Sequence, residues 1–426
     1  MKKNGFTLVE ITVCVVLLVT IFLIVVPKVN TMINNKKKNA YNSLISTVKD
    51  AAQAYVYLNV NIVDDVIESQ GYYEVSIRTL QENELLENKL ENPLTGKNIP
   101  STSIVKIIKN NEEYIYKFSL DYQYLLEHII DLYSSEETRI SNGLKKDNTE
   151  DQNIRYYGSN PNNYVSFNNE LWRIIGVFGN NVKLVRSETL GKLSWDSSES
   201  SVNDGYGVNE WSQADLKNYL NTMYYGGTSV TCYNGQNNQT TTCPTGTIDE
   251  TSKGLIDYHT WNTGAPNYNT LYDSTTSSYD TVAFYRAERG NVNGKICTSG
   301  NWCNDTVERT TEWTGYIGLP YVTDWAYASS ENDCNTKIDA SSTYKCKNNN
   351  WMHYGSTYND VTWYLSPNAN TSSATNVWVG RGYGNAGVGN ASSASAFFPA
   401  IYLKSNILIE SGTGTSSNPY ILKAGS

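Results

Sequence analysis

Three residues near the N-terminus have the types and spacing to act together chemically. Gly5 and Phe6 adjoin, and Glu10 is the only carboxylate in the apolar run of residues 6–26. A charge inside a membrane raises the free energy of insertion by about 2.5–3.5 kcal/mol, so Glu10 would need a partner cation there. Cleavage between Gly5 and Phe6 would create an α-ammonium about one helical turn from Glu10. In a stack of identical helices, the amine of one copy could then neutralise Glu10 of the next.

The apolar run is long enough to be a transmembrane helix. Residues 6–26 would span about 31 Å as a helix, close to the thickness of a bilayer's hydrocarbon core. Apolar residues continue at helical spacing beyond Pro27, which lacks a backbone donor and should loosen the helix there. We therefore predict one transmembrane and assembly helix over residues 6–58. The alternatives are an ordinary signal anchor and a secretory signal peptide, but no small-residue cleavage site follows the run.

The segment Lys3-Asn4-Gly5-Phe6-Thr7-Leu8-Val9-Glu10, the apolar run and Pro27 together resemble the type IV pilin and pseudopilin family. The resemblance implies that residues 1–5 are a leader peptide, removed after Gly5 by a prepilin peptidase that methylates Phe6. It also implies that Glu10 guides assembly with other pilin subunits through the N-terminal helix. The implied localisation is a single-pass cell membrane protein before assembly, and then the cell surface or an extracellular filament.

Composition narrows the class of function. The chain of 426 residues has a net charge of −9, so no nucleic-acid partner is expected, because such proteins concentrate positive charge. Its 33 tyrosines and 10 tryptophans, with only 18% charged residues, suit an exported protein. The three histidines, His128, His259 and His353, lie in no metal-ligand or nucleophile motif. We therefore predict that the chain is not an enzyme and that it has no catalytic residue, no metal and no cofactor.

The cysteines indicate disulfides. Cys14 lies in the apolar run, and the other six form pairs that are close in sequence. Six cysteines allow fifteen pairings, but each local pair brackets a polar loop. We predict Cys232–Cys243, Cys297–Cys303 and Cys334–Cys346. A zinc site is disfavoured because none of these intervals has the close spacing that zinc ligands usually show.

The remaining chain divides into three parts. Residues 59–133 predict a small head with a helix over 78–88, a turn at 92–96 and a hairpin over 103–118. This head resembles that of a minimal pseudopilin. Residues 134–153 are polar and are predicted to be a linker. Residues 154–426 are predicted to be an extracytoplasmic binding domain.

The last region resembles an uncharacterised domain of bacterial surface proteins, and this pattern in turn looks similar to C-type-lectin-like and formylglycine-generating-enzyme-like folds. The matching segments are Trp172-Arg173-Ile174, Trp211–Asn221, Val322–Ala328, Trp363–Pro367, Phe398–Ser405 and Gly412–Tyr420. The fold class predicted for the chain is α+β. It comprises a long N-terminal α-helix, a small antiparallel-sheet pilin head and a loop-rich mixed α+β domain.

Aromatic residues are the candidates for ligand binding. Tyr and Trp offer apolar faces with a polar tip, which suits stacking on sugar rings or burial in an interface. Trp172, Trp211, Trp325 and Trp363 are predicted to fill the core. Candidate ligand-binding residues in Gly-, Asn- and Ser-rich surroundings are Trp261, Trp302, Trp378 and Tyr383, with a glycan or a surface protein as the ligand.

The predicted function combines these parts. The chain is expected to be a minor or tip pilin-like subunit of a type IV pilus or related filament that displays a large adhesion or recognition domain. The alternative is a structural pseudopilin of a type II secretion or competence (DNA-uptake) machine.

Overall fold

The computed structural model describes residues 36, 40–41, 43–93, 98–110, 113–118, 123–292, 295–296, 310–340, 345–369 and 374–425. Two compact units divide the chain, one ending at Gln123 and one beginning at Tyr124. Several predicted site residues lie outside the described residues: Gly5, Phe6, Glu10, Cys14, Pro27, Cys297, Trp302 and Cys303.

The first unit packs helices on a small sheet. Val48, Ala52 and Val56, on one face of helix α1, are buried with Val75 and Val105 of the sheet. The sheet is antiparallel in the order β1-β2-β3, which includes the predicted hairpin. The elements are α1 (residues 43–58), α2 (Val60–Gln70), β1 (Tyr73–Ser76), α3 (Ile77–Glu82), β2 (Ile104–Asn110) and β3 (Glu113–Phe118).

The predicted long N-terminal helix is contradicted in the part of the chain that the structure describes. The end of α1 before Asn59, whose side-chain amide donates to the carbonyl of Tyr55 at 2.9 Å, agrees with the predicted boundary. However, α1 is the longest described helix and has only 16 residues. Helix α2 then ends at Gly71, which has a φ of 87° that favours glycine. Its sequence carries three carboxylates, Asp64, Asp65 and Glu68, so it is too polar to enter a bilayer.

The predicted membrane localisation is contradicted as well. Within the described ranges, no helix is both long and apolar enough to cross a membrane. The apolar run over residues 6–26, from which the localisation was inferred, lies outside those ranges.

The second unit is α+β and is built on two sheets. The larger sheet follows the order β19-β25-β9-β8-β7-β27-β26-β4, with β6 pairing with both β8 and β5; the smaller follows β10-β24-β21-β22-β23. The strands of the two sheets are β4 (Gln123–Tyr124), β5 (Leu144–Lys146), β6 (Ile154–Tyr156), β7 (Tyr164–Phe167), β8 (Glu170–Phe178), β9 (Asn181–Arg186), β10 (Gly191–Leu193), β19 (Ile317–Gly318), β21 (Val361–Pro367), β22 (Asn376–Arg381), β23 (Asn385–Asn390), β24 (Ser395–Phe397), β25 (Ala400–Leu403), β26 (Ile407–Ser411) and β27 (Tyr420–Ala424).

Smaller elements complete this unit. Its short ladders are formed by β11 (Cys232–Gly235) with β12 (Gln239–Thr241), β13 (His259–Asn262) with β18 (Glu312–Gly315), β14 (Tyr272–Asp273) with β15 (Ser278–Asp280) and β20 (Lys337–Asp339), and β16 (Asn291–Val292) with β17 (Lys295–Ile296). Its helices are α4 (Leu125–Ser134), α5 (Glu136–Ser141), α6 (Asp215–Asn218), α7 (Glu250–Lys253), α8 (Tyr268–Leu271), α9 (Thr281–Glu288), α10 (Val322–Ala328) and α11 (Asn332–Thr336).

The centre of the larger sheet is the hairpin of β8 and β9. Both strands are buried over nearly their whole length, as their mainly apolar sequences indicate. Gly179 in the turn has a φ of 58°, which glycine adopts without strain. Two buried cations interrupt the apolar pattern: Arg173 in β8 is 8% exposed, and Lys183 lies in the middle of β9 with 0% of its surface exposed.

Two predicted features of this region differ from the structure. Residues 134–153, predicted to be a linker, instead contribute α5 and β5 and the buried Asp147, Thr149 and Asn153. The domain predicted over residues 154–426 also contains more β-sheet than its loop-rich prediction implied.

Among the described residues the structure contains two disulfides, Cys232–Cys243 and Cys334–Cys346, both as predicted. Their Cα atoms lie 5.3 Å and 5.2 Å apart. The predicted partners Cys297 and Cys303 are not among the described residues.

We expect the double variant Cys334→Ser/Cys346→Ser to lose about 2–4 kcal/mol of unfolding free energy, because the bridge restricts the unfolded chain. Urea unfolding of the oxidised chain measures the loss, and Cys232→Ser/Cys243→Ser should lose a similar amount, because the two bridges span 11 and 12 residues. Unfolding of wild type and variant at the same urea concentration would contradict this prediction.

Candidate recognition surface

Tyr383 lies at the tip of the hairpin formed by β22 and β23. Arg381 pairs with Asn385, so Gly382, Tyr383 and Gly384 form the turn. A Cβ at Gly382 would meet the carbonyl oxygen of Thr357 at 2.4 Å, so only glycine allows the turn to approach the neighbouring loop this closely. The packing leaves the Tyr383 ring 43% exposed at the tip.

The neighbouring loop places a second tyrosine beside it. Tyr358 is 53% exposed, and its ring centroid lies 6.1 Å from that of Tyr383. The guanidinium carbon of Arg381 lies 4.6 Å from the Tyr358 ring centroid, and Arg381 Nη2 donates to the carbonyl of Val388 at 3.2 Å. We call Tyr358, Arg381 and Tyr383 the tyrosine surface.

Asp360 holds the loop under this surface. Its Oδ2 accepts from the backbone N–H groups of Ser356 and Thr357 at 2.8 Å each. These bonds lower the pKa of Asp360, so it stays ionised at neutral pH. The backbone N–H of Gly382 donates to the Asp360 carbonyl at 2.8 Å, which joins loop and hairpin. These hydrogen bonds therefore fix the backbone that carries the two tyrosines.

His353 contacts the same hairpin through its imidazole ring. Its Nε2 lies 3.1 Å from the Gly382 carbonyl oxygen, which can only accept, so Nε2 carries the hydrogen. Burial lowers the pKa of His353 and favours the neutral ring. The histidine therefore positions the turn.

The chemistry of the tyrosine surface suits recognition. The aromatic rings of both tyrosines and the Arg381 guanidinium can stack on the ring of a ligand, and the Tyr358 hydroxyl can hydrogen-bond its rim. Ser356, Thr357 and Asn359 are exposed on the same loop and add polar groups. Such a site is open and polar, which suits a sugar or a peptide.

Two of the predicted ligand-binding tryptophans lie in the core instead. Trp261 is fully buried, and its Nε1 donates to the carbonyl of Gly315 at 3.1 Å. Trp378 is also fully buried, with Nε1 donating to the carbonyl of Pro266 at 2.8 Å. The glycine-rich surroundings were misleading: a Cβ at Gly318 would lie 2.8 Å from the Trp261 ring, so this glycine lets the backbone pack on the indole.

Trp172, Trp211, Trp325 and Trp363 are buried, as predicted. Of the four candidate ligand-binding residues, Tyr383 is the described one with an exposed ring. Sequence reasoning did not single out Tyr358 or Arg381. A tyrosine inside the run Gly355-Ser356-Thr357-Tyr358-Asn359 was the available signal, because such polar turns lie at the surface.

Comparison of the chain with protein-family models, with curated proteins and with solved structures finds no match. The assignment of function therefore depends on the residues of this chain.

Proposed function

We propose that the chain is a minor or tip pilin-like subunit that carries its own recognition domain. The observation that carries this proposal is the fixed spacing of Gly5, Phe6 and Glu10 ahead of an apolar run. Such an N-terminus precedes a second unit of about 300 residues, far larger than a subunit needs merely to pack into a fibre.

The first unit offers support from its surface. Tyr57 is 84% exposed, Leu58 65% and Ile62 59%, all on α1 and α2. Exposed apolar side chains this close together in the sequence favour a protein interface. Other pilin subunits are the partners that we propose for this face, and a prepilin peptidase is the partner for the N-terminus.

Processing provides the first test. Coexpressed with an active prepilin peptidase, the wild-type chain should begin at N-methylated Phe6, and Gly5→Leu should retain residues 1–5, because the peptidase needs the small residue before its cut. Mass spectrometry of the N-terminal peptide measures both, with Thr7→Ser as the matched control. A wild-type chain that still begins at Met1 would overturn the proposal.

The tyrosine surface provides the second test. In a glycan and matrix-protein screen of the full chain, we expect Tyr358→Ala and Tyr383→Ala each to weaken binding by up to about tenfold, since one aromatic contact contributes about 0.5–1.5 kcal/mol. Tyr258→Ala is the matched control, because Tyr258 is 60% exposed and its ring contacts Tyr316 instead.

Equal losses in all three variants would contradict the assignment of the site. Correct processing without binding to any ligand in the screen would instead favour the alternative function, a structural pseudopilin of a secretion or competence machine.

A further inference from the structure

A lysine and an aspartate meet inside the second unit. Lys183 Nζ in β9 lies 2.6 Å from Asp324 Oδ2 in the first turn of α10. At most 1% of either side chain is exposed. The two residues are 141 positions apart in the sequence. Their contact is therefore a product of the tertiary fold.

Aromatic rings enclose the lysine amine. Nζ lies 4.1 Å from the ring centroid of Tyr321, 5.2 Å from Trp261, 5.3 Å from Tyr402 and 5.7 Å from Phe178. Burial lowers the pKa of Lys183 to about 8, although the attraction of Asp324 opposes the shift. Burial thus favours the uncharged amine, which is the form that acts as a nucleophile.

The aspartate is held with its carboxyl group towards that amine. Arg155 Nη1 donates to Oδ1 at 2.7 Å, and the backbone N–H of Tyr321 donates to Oδ2 at 3.0 Å. Burial alone would raise the pKa of Asp324, but Lys183 and Arg155 outweigh it and lower that pKa. The proton needed to activate the carboxyl group comes from the lysine ammonium across the 2.6 Å hydrogen bond.

Arg155 is itself fixed in place. Its Nε donates to Asp147 Oδ2 at 2.7 Å, and the Asp147 side chain is fully buried. The guanidinium is therefore positioned to stabilise negative charge on Oδ1, as donors of an oxyanion hole do during acyl transfer. An amine, a carboxyl group and an oxyanion donor thus lie together away from water.

We propose that Lys183 and Asp324 condense to form an intramolecular isopeptide bond. Nζ attacks Cγ of Asp324, the new N–C bond forms, and one C–O bond of the carboxyl group breaks. Both protons lost by the lysine ammonium leave on that oxygen as water, so charge and atoms balance without an oxidant or reductant. The remaining oxygen becomes the amide carbonyl and keeps Arg155 as its donor.

Two physical effects favour the product. It replaces two buried charges with one neutral amide, which removes their desolvation cost. The enclosed site also excludes the water that would hydrolyse the amide. The new bond covalently joins β9 to α10, and this cross-link is independent of the proposed function.

Mass spectrometry of the full wild-type chain, with its disulfides reduced, tests the proposal. We expect a mass lower by one water molecule than the processed sequence requires, and a tryptic species in which the peptides of Lys183 and Asp324 are joined. Unlinked peptides containing each residue, or a loss of water located elsewhere, would overturn the proposal. This measurement needs no variant.

Variants sharpen the assignment. Lys183→Arg and Asp324→Ala should each restore the full mass. Lys145→Arg is the matched control, because Lys145 is also largely buried but donates to the Ser329 carbonyl and to Asn335 Oδ1. The Lys145→Arg control should keep the cross-link and therefore the mass that is lower by one water molecule. If Lys145→Arg has a native fold by circular dichroism but shows the mass without this loss, the assignment to Lys183 is contradicted.

Discussion

Replacing Arg155 with methionine is expected to lower the free energy of unfolding of the second unit by about 3–5 kcal/mol. Arg155 is 1% exposed and donates to Asp147 and Asp324 at 2.7 Å each. Without it, Asp147 would remain in the core with hydrogen bonds from Thr149 and Asn153 but without the cation that pairs with it. An uncompensated buried charge costs more than the lost contacts themselves.

Urea unfolding followed by tryptophan fluorescence measures this loss. Arg286→Met is the matched control, because Arg286 and Glu150 form an ion pair whose side chains are 52% and 54% exposed. A surface pair contributes at most about 1 kcal/mol, so the control should unfold close to wild type. Similar losses in the two variants would contradict the role assigned to the buried cluster.

The pH dependence of Arg155→Met follows from the same group. Burial would raise the pKa of Asp147, but the charge of Arg155 and the hydrogen bonds from Thr149, Asn153 and Arg155 lower it. In the wild type this contribution is therefore complete above the unfolded pKa of about 3.9 and is lost only at lower pH.

Arg155→Met removes the cation that opposes the effect of burial on the pKa of Asp147. That pKa should therefore rise above its value in the unfolded chain. The folded variant then binds a proton as the pH falls, and its stability rises relative to wild type. We expect the difference between the two to narrow between about pH 7 and pH 4. Urea midpoints at several pH values measure it, and a constant difference would contradict the explanation.

Replacing Trp378 with alanine is expected to lower the free energy of unfolding by about 3–5 kcal/mol, because it leaves a large cavity. The ring of Trp378 packs against Phe284 at 4.6 Å and Tyr279 at 5.1 Å between centroids. The variant also leaves the carbonyl of Pro266 without its indole donor.

Tyr383→Ala is the matched control for Trp378→Ala. A surface substitution on the same hairpin should change the free energy of unfolding by no more than about 0.5 kcal/mol. The two variants thus separate stability from recognition: Trp378→Ala should unfold at a lower urea concentration, and Tyr383→Ala should bind the ligand more weakly and keep its fold. A Trp378→Ala variant with wild-type stability and no binding would show that Trp378 belongs to the ligand site after all.

Local patterns in the sequence were sufficient for several elements. The apolar segments around Gly179 predict the hairpin of β8 and β9, because buried strands and a short turn are local features. The two described disulfides follow from short separations of 11 and 12 residues. By contrast, the burial of Trp261 and Trp378 was missed, because a glycine-rich surrounding is equally compatible with a surface loop and with close packing on an indole.

The sequence by itself determined which residues are available: an unusual Glu10 in an apolar run, a lysine within the apolar strand β9 and tyrosines in polar loops. Lys183 stands out locally, because a charge in a buried strand needs a partner. Only the tertiary structure decided that the partner is Asp324, 141 residues away, and that Arg155 joins the pair. The sequence around either residue does not indicate this contact, because the contact forms only when the sheet packs against α10. The same holds for the tyrosine surface, where hairpin packing on a loop places Tyr383 beside Tyr358.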